Sequence, residues 1–403
     1  MSKNLFLKNS VGTNYFDKIL YAKNKKKLNN IINNILSSLK DKKDVFYTLS
    51  KKFNFNFKYS ELEKFNKYKT VILIGMGGSA LGAEAIYSFF NDKIKKKFIF
   101  FNNLDQLKIE KTKKNINLKD SLFIIISKSG STLETLINSN LFNDKINSKN
   151  TIIITEKKTN TLNTFAKNKK ILHIEHKDYI GGRYSVLSEV GMIPAYFMGL
   201  RINSFRKNLL DFFKSTKKNL LLDNVIKLSH IYKYKKISSI ILLNYAPEVN
   251  DFLYWSQQLI AESLGKKGRG ILPVVSPAPR DHHSLMQLYL DGPKDKLFYI
   301  FSSRFNKKIK TNKNVFGKTF SYAENKDFLK TKVAQKNALI KVLINKKIPY
   351  QEFIINKKNE ETLGELFSYF IIETVLVGKL LGINPFNQPA VEQVKVLTKK
   401  YLS

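Results

Sequence analysis

Short runs of consecutive apolar residues recur along the chain, each followed by a turn of small residues and then by apolar positions at helical spacing. Val71-Ile-Leu-Ile74 leads through Gly75-Met-Gly-Gly-Ser79 into Ala80 to Phe90, a strand, a tight glycine turn and a helix. Phe98 to Phe101 reads as another strand, Ser121 to Ile126 as a third and Thr151 to Ile154 as a fourth. The third enters Ser127-Lys-Ser-Gly-Ser-Thr132 and a helix from Leu133. Strands alternating with helices predict a parallel, doubly wound sheet.

A second series of strand signals starts at Ile237 to Leu243 and continues at Leu297 to Phe301, ending in a long helix over Glu361 to Leu381. A Lys-rich stretch over 204 to 236 reads as a connecting helix. The chain therefore divides into a helical N-terminal segment (1–65), a first α/β domain (66–205), a second (206–380) and a helical C-terminal tail (381–403). No repeat of fixed period and no low-complexity linker interrupts this order.

Composition narrows the function classes. The chain has 403 residues, 43% of them hydrophobic, and no cysteine, which excludes disulfides, thiolate metal sites and a thiol nucleophile. No apolar run reads as a signal peptide or membrane span, since Glu373 and Lys379 interrupt the best candidate. A cytoplasmic location is expected. The formal net charge of +38 invites a nucleic-acid reading, yet only 6 of the 70 basic residues are arginine. Arginine is the side chain suited to bidentate phosphate and base recognition, and the lysines are spread along the whole chain. The charge reads as a solvated lysine-rich surface, with no nucleic-acid partner.

Six segments carry candidate chemistry. Gly75-Met-Gly-Gly-Ser79 lets backbone N–H groups approach an anion at a helix start. It also matches a dinucleotide fingerprint, but the next strand ends in Asn102-Asn103 where an acidic residue is wanted. Ser127-Lys-Ser-Gly-Ser-Thr-Leu-Glu-Thr135 puts five hydroxyls in nine residues at a strand–helix junction, a cup for a phosphate monoester. In Gly181-Gly-Arg-Tyr-Ser185 a double-glycine turn presents Arg183, able to stabilise negative charge on a substrate oxygen. Glu262, near the end of an apolar helix, is a candidate base. His282 and His283 are adjacent and point opposite ways on an extended stretch, which disfavours a shared metal and suits one of them for proton transfer. Lys395 follows Gln388 by seven residues, about two turns, so the two can share a helical face.

Together these segments, in their order from Val71 to Leu397, resemble the glucose-6-phosphate isomerase family. The resemblance implies two sugar isomerase (SIS) domains, a homodimer with active sites at the subunit boundary, a sugar 6-phosphate substrate, and neither cofactor nor metal. It implies an aldose–ketose interconversion of glucose 6-phosphate and fructose 6-phosphate, in glycolysis and gluconeogenesis. By position, Ser79 would lie near the sugar. Ser127, Ser129, Thr132 and Thr135, with the Lys128 backbone, would hold the phosphate. Arg183 would lie beside the reacting carbons, and Glu262 would be the base. His283 would open the ring, reaching in from the partner subunit. Gln388 and Lys395 would form a C-terminal pair, with the lysine acting at the ring oxygen.

The chain departs from the family pattern beside these positions. Leu264 stands where Asn is common, Asp281-His282 replaces Gly-Gln, and Pro389-Ala390 replaces Trp-Gly. An enzyme that also accepts mannose 6-phosphate stays open, as does a non-catalytic sugar-phosphate sensor. The presence of Glu262, His283 and Lys395 disfavours the sensor, which needs only the phosphate cup.

Overall fold

The computed structural model describes residues 4–11, 18–234, 237–305 and 309–403. The first strand, β1 (Leu5–Asn9), belongs to the second of two sheets. The first sheet holds β2 (Thr70–Gly75), β3 (Lys97–Phe101), β4 (Ser121–Ile126), β5 (Thr151–Thr155) and β6 (Leu172–Glu175). Its order is β3-β2-β4-β5-β6 and every pairing is parallel. The second holds β7 (Ser239–Asn244), β8 (Leu272–Pro277), β9 (Lys296–Ser303) and β10 (Tyr350–Ile355), in the order β8-β7-β9-β10-β1.

The central strands are apolar throughout because both of their faces are covered. Alternate residues enter different cores. In the first sheet, Val71, Leu73, Ile124 and Ile126 face a large central core, while Ile72, Ile74, Phe123 and Ile125 face an outer one. In the second, Ile240 and Leu242 join the same central core, and Ile241 and Leu243 face a second outer core. The two sheets thus share one interior. Its filling includes the helices Leu81–Phe90, Asn250–Leu264 and Glu360–Leu381, which pack on one another.

The reading of 1–65 as helical holds for Lys18–Ser38 but not for Leu5–Asn9. That segment pairs antiparallel with β10, burying Leu5 and Leu7 and leaving Lys8 exposed. It covers a sheet edge that would otherwise present unpaired backbone groups. The second sheet is consequently parallel with one antiparallel edge strand.

Both sheets have a switch point, between β2 and β4 and between β7 and β9, where connections leave in opposite directions. Ligands bind outside the carboxyl ends of strands at such points. The turns Gly75–Ser79 and Ser127–Thr132 leave the carboxyl ends of β2 and β4 and so flank the first switch point.

Candidate functional site

The glycine turn after β2 is shaped by what leans on it. A Cβ added at Gly78 would lie 2.2 Å from the Gly182 carbonyl carbon and 2.5 Å from Arg183 N. The two glycine motifs are therefore in backbone contact, and any side chain at Gly78 would push them apart. Ser79 is buried in this turn, its N–H donating to Met76 O at 3.0 Å.

That contact delivers Arg183 to the end of helix Asn250–Leu264. The arginine side chain is 1% exposed and its donors are directed to five groups, among them Asn387 O, 3.3 Å from Nη2. Nε donates to Ser263 Oγ at 2.8 Å, Nη1 to Gln388 Oε1 at 2.9 Å and Nη2 to Pro385 O at 2.6 Å. Nη1 also lies 3.2 Å from Glu262 Oε1. The other carboxylate oxygen, Oε2, accepts from Gln258 Nε2 at 3.1 Å, one helical turn earlier. Glu262 is thus held by a donor on each oxygen and stays partly open, bordering a cavity of about 640 Å³ that Gln388 also lines. A carboxylate fixed in this way keeps one orientation while remaining reachable. Tyr184, next to the arginine, bonds Ser263 Oγ and donates to Pro385 O, both at 2.8 Å. Burial raises its pKa, which keeps the phenol protonated as a donor.

The hydroxyl-rich turn after β4 forms a second cluster. Ser127 Oγ and Thr132 Oγ1 are 2.8 Å apart, and Gly130 N donates to Ser127 Oγ at 3.2 Å. Gly130 has φ +66°, and a Cβ there would collide with Asn160 Oδ1, so the turn closes only with glycine. Ser131 Oγ donates to Ser129 Oγ at 3.2 Å. Thr135 is fully buried at the start of helix Leu133–Leu141, and its hydroxyl has no partner among the described residues. A buried hydroxyl without a partner is costly and marks where an acceptor is wanted. The Lys128 side chain turns away, donating to Asp178 O at 2.6 Å and lying 3.8 Å from Glu156. It leaves the cup to hydroxyls and backbone.

Two expected residues are not brought to Glu262 within the chain. His283 follows the 3-10 turn Arg280–His282 as its cap, its N–H donating to Arg280 O at 3.1 Å, and its exposed side chain makes no hydrogen bond or ion pair among the described residues. Its neighbour His282 points elsewhere, to Tyr245 Oη at 2.5 Å. Buried Asp281 braces this turn through Ser276 and Ser284. Lys395 is exposed and pairs with Glu392 at 2.6 Å. The expected shared face of Gln388 and Lys395 does not form. Gln388 has φ −152° and precedes the 3-10 turn Pro389–Val391, so it lies outside the helix Glu392–Leu402 that carries the lysine.

Gln258, Ser263 and Tyr184 were not singled out from the sequence. The only available signal was spacing, since Gln258 precedes Glu262 by four residues and so shares its helical face.

A family model described as phosphoglucose isomerase matches residues 22–403. The chain is 32% identical to the glucose-6-phosphate isomerase of Methanocaldococcus jannaschii, over 84% of this chain and 84% of that one. It is 31% identical to the glucose-6-phosphate isomerase of Campylobacter jejuni, over 83% of this chain and 86% of the relative. Among solved structures, a hypothetical protein from Thermus thermophilus superposes with a TM-score of 0.84 at 22% identity, covering 99% of this chain and 100% of that one. A glucose-6-phosphate isomerase from Chlamydia trachomatis gives 0.79 at 17% identity, covering 100% and 89%. With the match running from residue 22 through the tail, and so taking in every strand but β1, the chain belongs to the phosphoglucose isomerase family.

Proposed function

We propose that this protein interconverts glucose 6-phosphate and fructose 6-phosphate in glycolysis and gluconeogenesis. The observation that carries the reading is the placement of Arg183 against both Glu262 and Gln388, beside the glycine turn at the first switch point. Named relatives of similar length support the substrate.

The hydroxyls of Ser127, Ser129, Thr132 and Thr135, with the Lys128 backbone, take the phosphate. Held remotely, the phosphate lets binding energy position the reacting carbons. His283 and Lys395 open the sugar ring. Glu262 removes the proton at C2, giving a cis-enediolate, and Arg183 stabilises its charge. Glu262 returns the proton to C1. Ser79 and Gln388 position the sugar, and the residues named carry every proton and charge in this scheme.

His283 is supplied by a second copy of the chain in a homodimer. Its exposure supports this, as does the tail helix Glu392–Leu402, which buries no residue and leaves Val394, Val396 and Leu397 exposed. A cytoplasmic location is supported by the lack of cysteine. Among the described residues, no helix is long and apolar enough to cross a membrane. The test is formation of glucose 6-phosphate from fructose 6-phosphate in EDTA. Turnover by wild type and its loss in Glu262→Gln supports the reading, whereas binding without turnover in wild type contradicts it.

A further inference from the structure

The sequence Glu262-Ser-Leu-Gly-Lys266 puts a lysine four residues after the base, just beyond the end of helix Asn250–Leu264. Its Nζ donates to two main-chain carbonyls, Ser263 O at 2.8 Å and Asn384 O at 2.7 Å. Ser263 O is among the last carbonyls of that helix, which lack intrahelical partners and favour a cation. Asn384 lies in the turn that leads to Gln388. Other donors hold the same segment from different places. Arg183 and Tyr184 reach Pro385 O from the first half of the chain, and just before the turn Arg269 reaches Leu381 O, at the end of helix Glu360–Leu381, at 2.6 Å. Among the described residues, Lys266 makes the one hydrogen bond that joins the end of the Glu262 helix directly to the 383–388 turn. The cavity beside Glu262 is lined by Lys266, Asn384 and Gln388 together.

We propose that Lys266 is a positioning residue that clasps the 383–388 turn to the end of the Glu262 helix, and so sets Gln388 and Arg183 against the base. The proposal rests on the isomerase reading. Gln388 Oε1 and Glu262 Oε1 both meet Arg183 Nη1, so a shift of the turn changes how that nitrogen is shared. A displacement of about 1 Å at a reacting group can cost on the order of 100-fold in rate.

The clasp also responds to pH. Burial, with Arg183 nearby, lowers the Lys266 pKa from 10.5 to about 8, and Glu262 opposes the shift. The charged groups around it are Glu262 on its helix, Arg183 on the facing turn, and Lys267 and Arg269 in its own loop; the 383–388 turn brings none. Above the lowered value the amine becomes neutral and loses the charge assistance of both bonds.

The test compares wild type, Lys266→Met and Lys266→Arg for kcat and KM across pH, and for hydrogen exchange of residues 383–391. In Lys266→Met, kcat at neutral pH should fall about 10-fold to 100-fold with KM nearly constant, and the 383–391 amides should exchange faster. In Lys266→Arg, whose charge persists, the alkaline limb of kcat should move upward by at least about one pH unit. Unchanged kcat in Lys266→Met, or an alkaline limb at the same pH in Lys266→Arg, would overturn the proposal. If wild type shows no isomerase turnover, the functional reading fails, and equal exchange at 383–391 in wild type and Lys266→Met would overturn the clasp by itself.

Discussion

The two sheets repeat one another strand for strand. β2, β3, β4 and β5 of the first correspond in order to β7, β8, β9 and β10 of the second, and β6 is replaced by the antiparallel β1. Their carboxyl ends are not equivalent. β2 and β4 run into turns rich in glycine and hydroxyls, with a buried Thr135 hydroxyl awaiting an acceptor. β7 ends in Asn244, whose side chain accepts from Ala246 N at 2.8 Å, and β9 ends in buried Ser302 and Ser303. The second unit instead contributes the helix after β7, which bears Glu262, and the turn after β8, which ends in exposed His283. On the proposed isomerase reading, the repeated scaffold carries two tasks. The half proposed to hold the anion is assembled within one chain, while the half proposed to move protons has His283 and Lys395 away from Glu262.

The largest effect that tests this division is on the proton-moving half. Glu262→Gln should lower kcat by about 10²-fold to 10⁴-fold, the usual contribution of a general base, with KM little changed. A parallel rise in KM would show that Glu262 serves binding. His283→Ala should lower ring-opening turnover by about 100-fold on cyclic substrate. Mixing it in equal amounts with Glu262→Gln should restore activity to about a quarter of wild type, because half the dimers are hybrids and each hybrid has one intact site. No recovery, with hybrids shown by mass, removes the shared site.

A smaller effect belongs to the anion-holding half. Thr135→Val should raise KM about 10-fold, one lost hydrogen bond to a charged group, at nearly constant kcat. Thermal stability without ligand should not fall, because the hydroxyl has no partner among the described residues.

The last effect leaves the chemistry untouched and bears on stability alone. Glu373 is buried in the second unit, accepting from Tyr369 Oη at 2.5 Å and Tyr299 Oη at 3.3 Å. Burial raises its pKa from 4.5 to about 7 against the lowering effect of these bonds. The folded protein therefore keeps a proton that the unfolded chain releases. This contribution is full below the unfolded value and is lost as pH rises through about 7, up to about 3 kcal/mol in all. Between about pH 5 and pH 8 the melting temperature of wild type should fall relative to Glu373→Gln, by several degrees. Parallel melting curves across that range would contradict the assignment.

The sequence made the central strands legible because β2, β4 and β7 are continuous apolar runs entering recognisable turns. β8 escaped notice because Leu272-Pro-Val-Val-Ser-Pro277 carries two prolines. Proline is tolerated there because β8 is an edge strand, where a missing N–H breaks no ladder. β1 is five residues long and owes its conformation to the β10 edge, which lies more than 340 residues away in the chain. At the site, Arg183 and Glu262 stood out by their motifs, and the fold joins them. Gln258 had no motif, since an amide one turn before a carboxylate is ordinary on any helix. The pairing of Gln388 with Lys395 was misjudged because spacing alone cannot show that a 3-10 turn separates them.

The most direct measurement is deuterium incorporation at C2 during incubation of fructose 6-phosphate with wild type and Glu262→Gln in deuterated, EDTA-containing buffer, followed by NMR. Glucose 6-phosphate carrying solvent deuterium at C2 is expected with wild type, and with the variant product and exchange should be slowed at least about 100-fold while the sugar phosphate still binds. Product and exchange at the wild-type rate in Glu262→Gln would remove Glu262 as the base, and wild type that binds fructose 6-phosphate without exchange would contradict the isomerase itself.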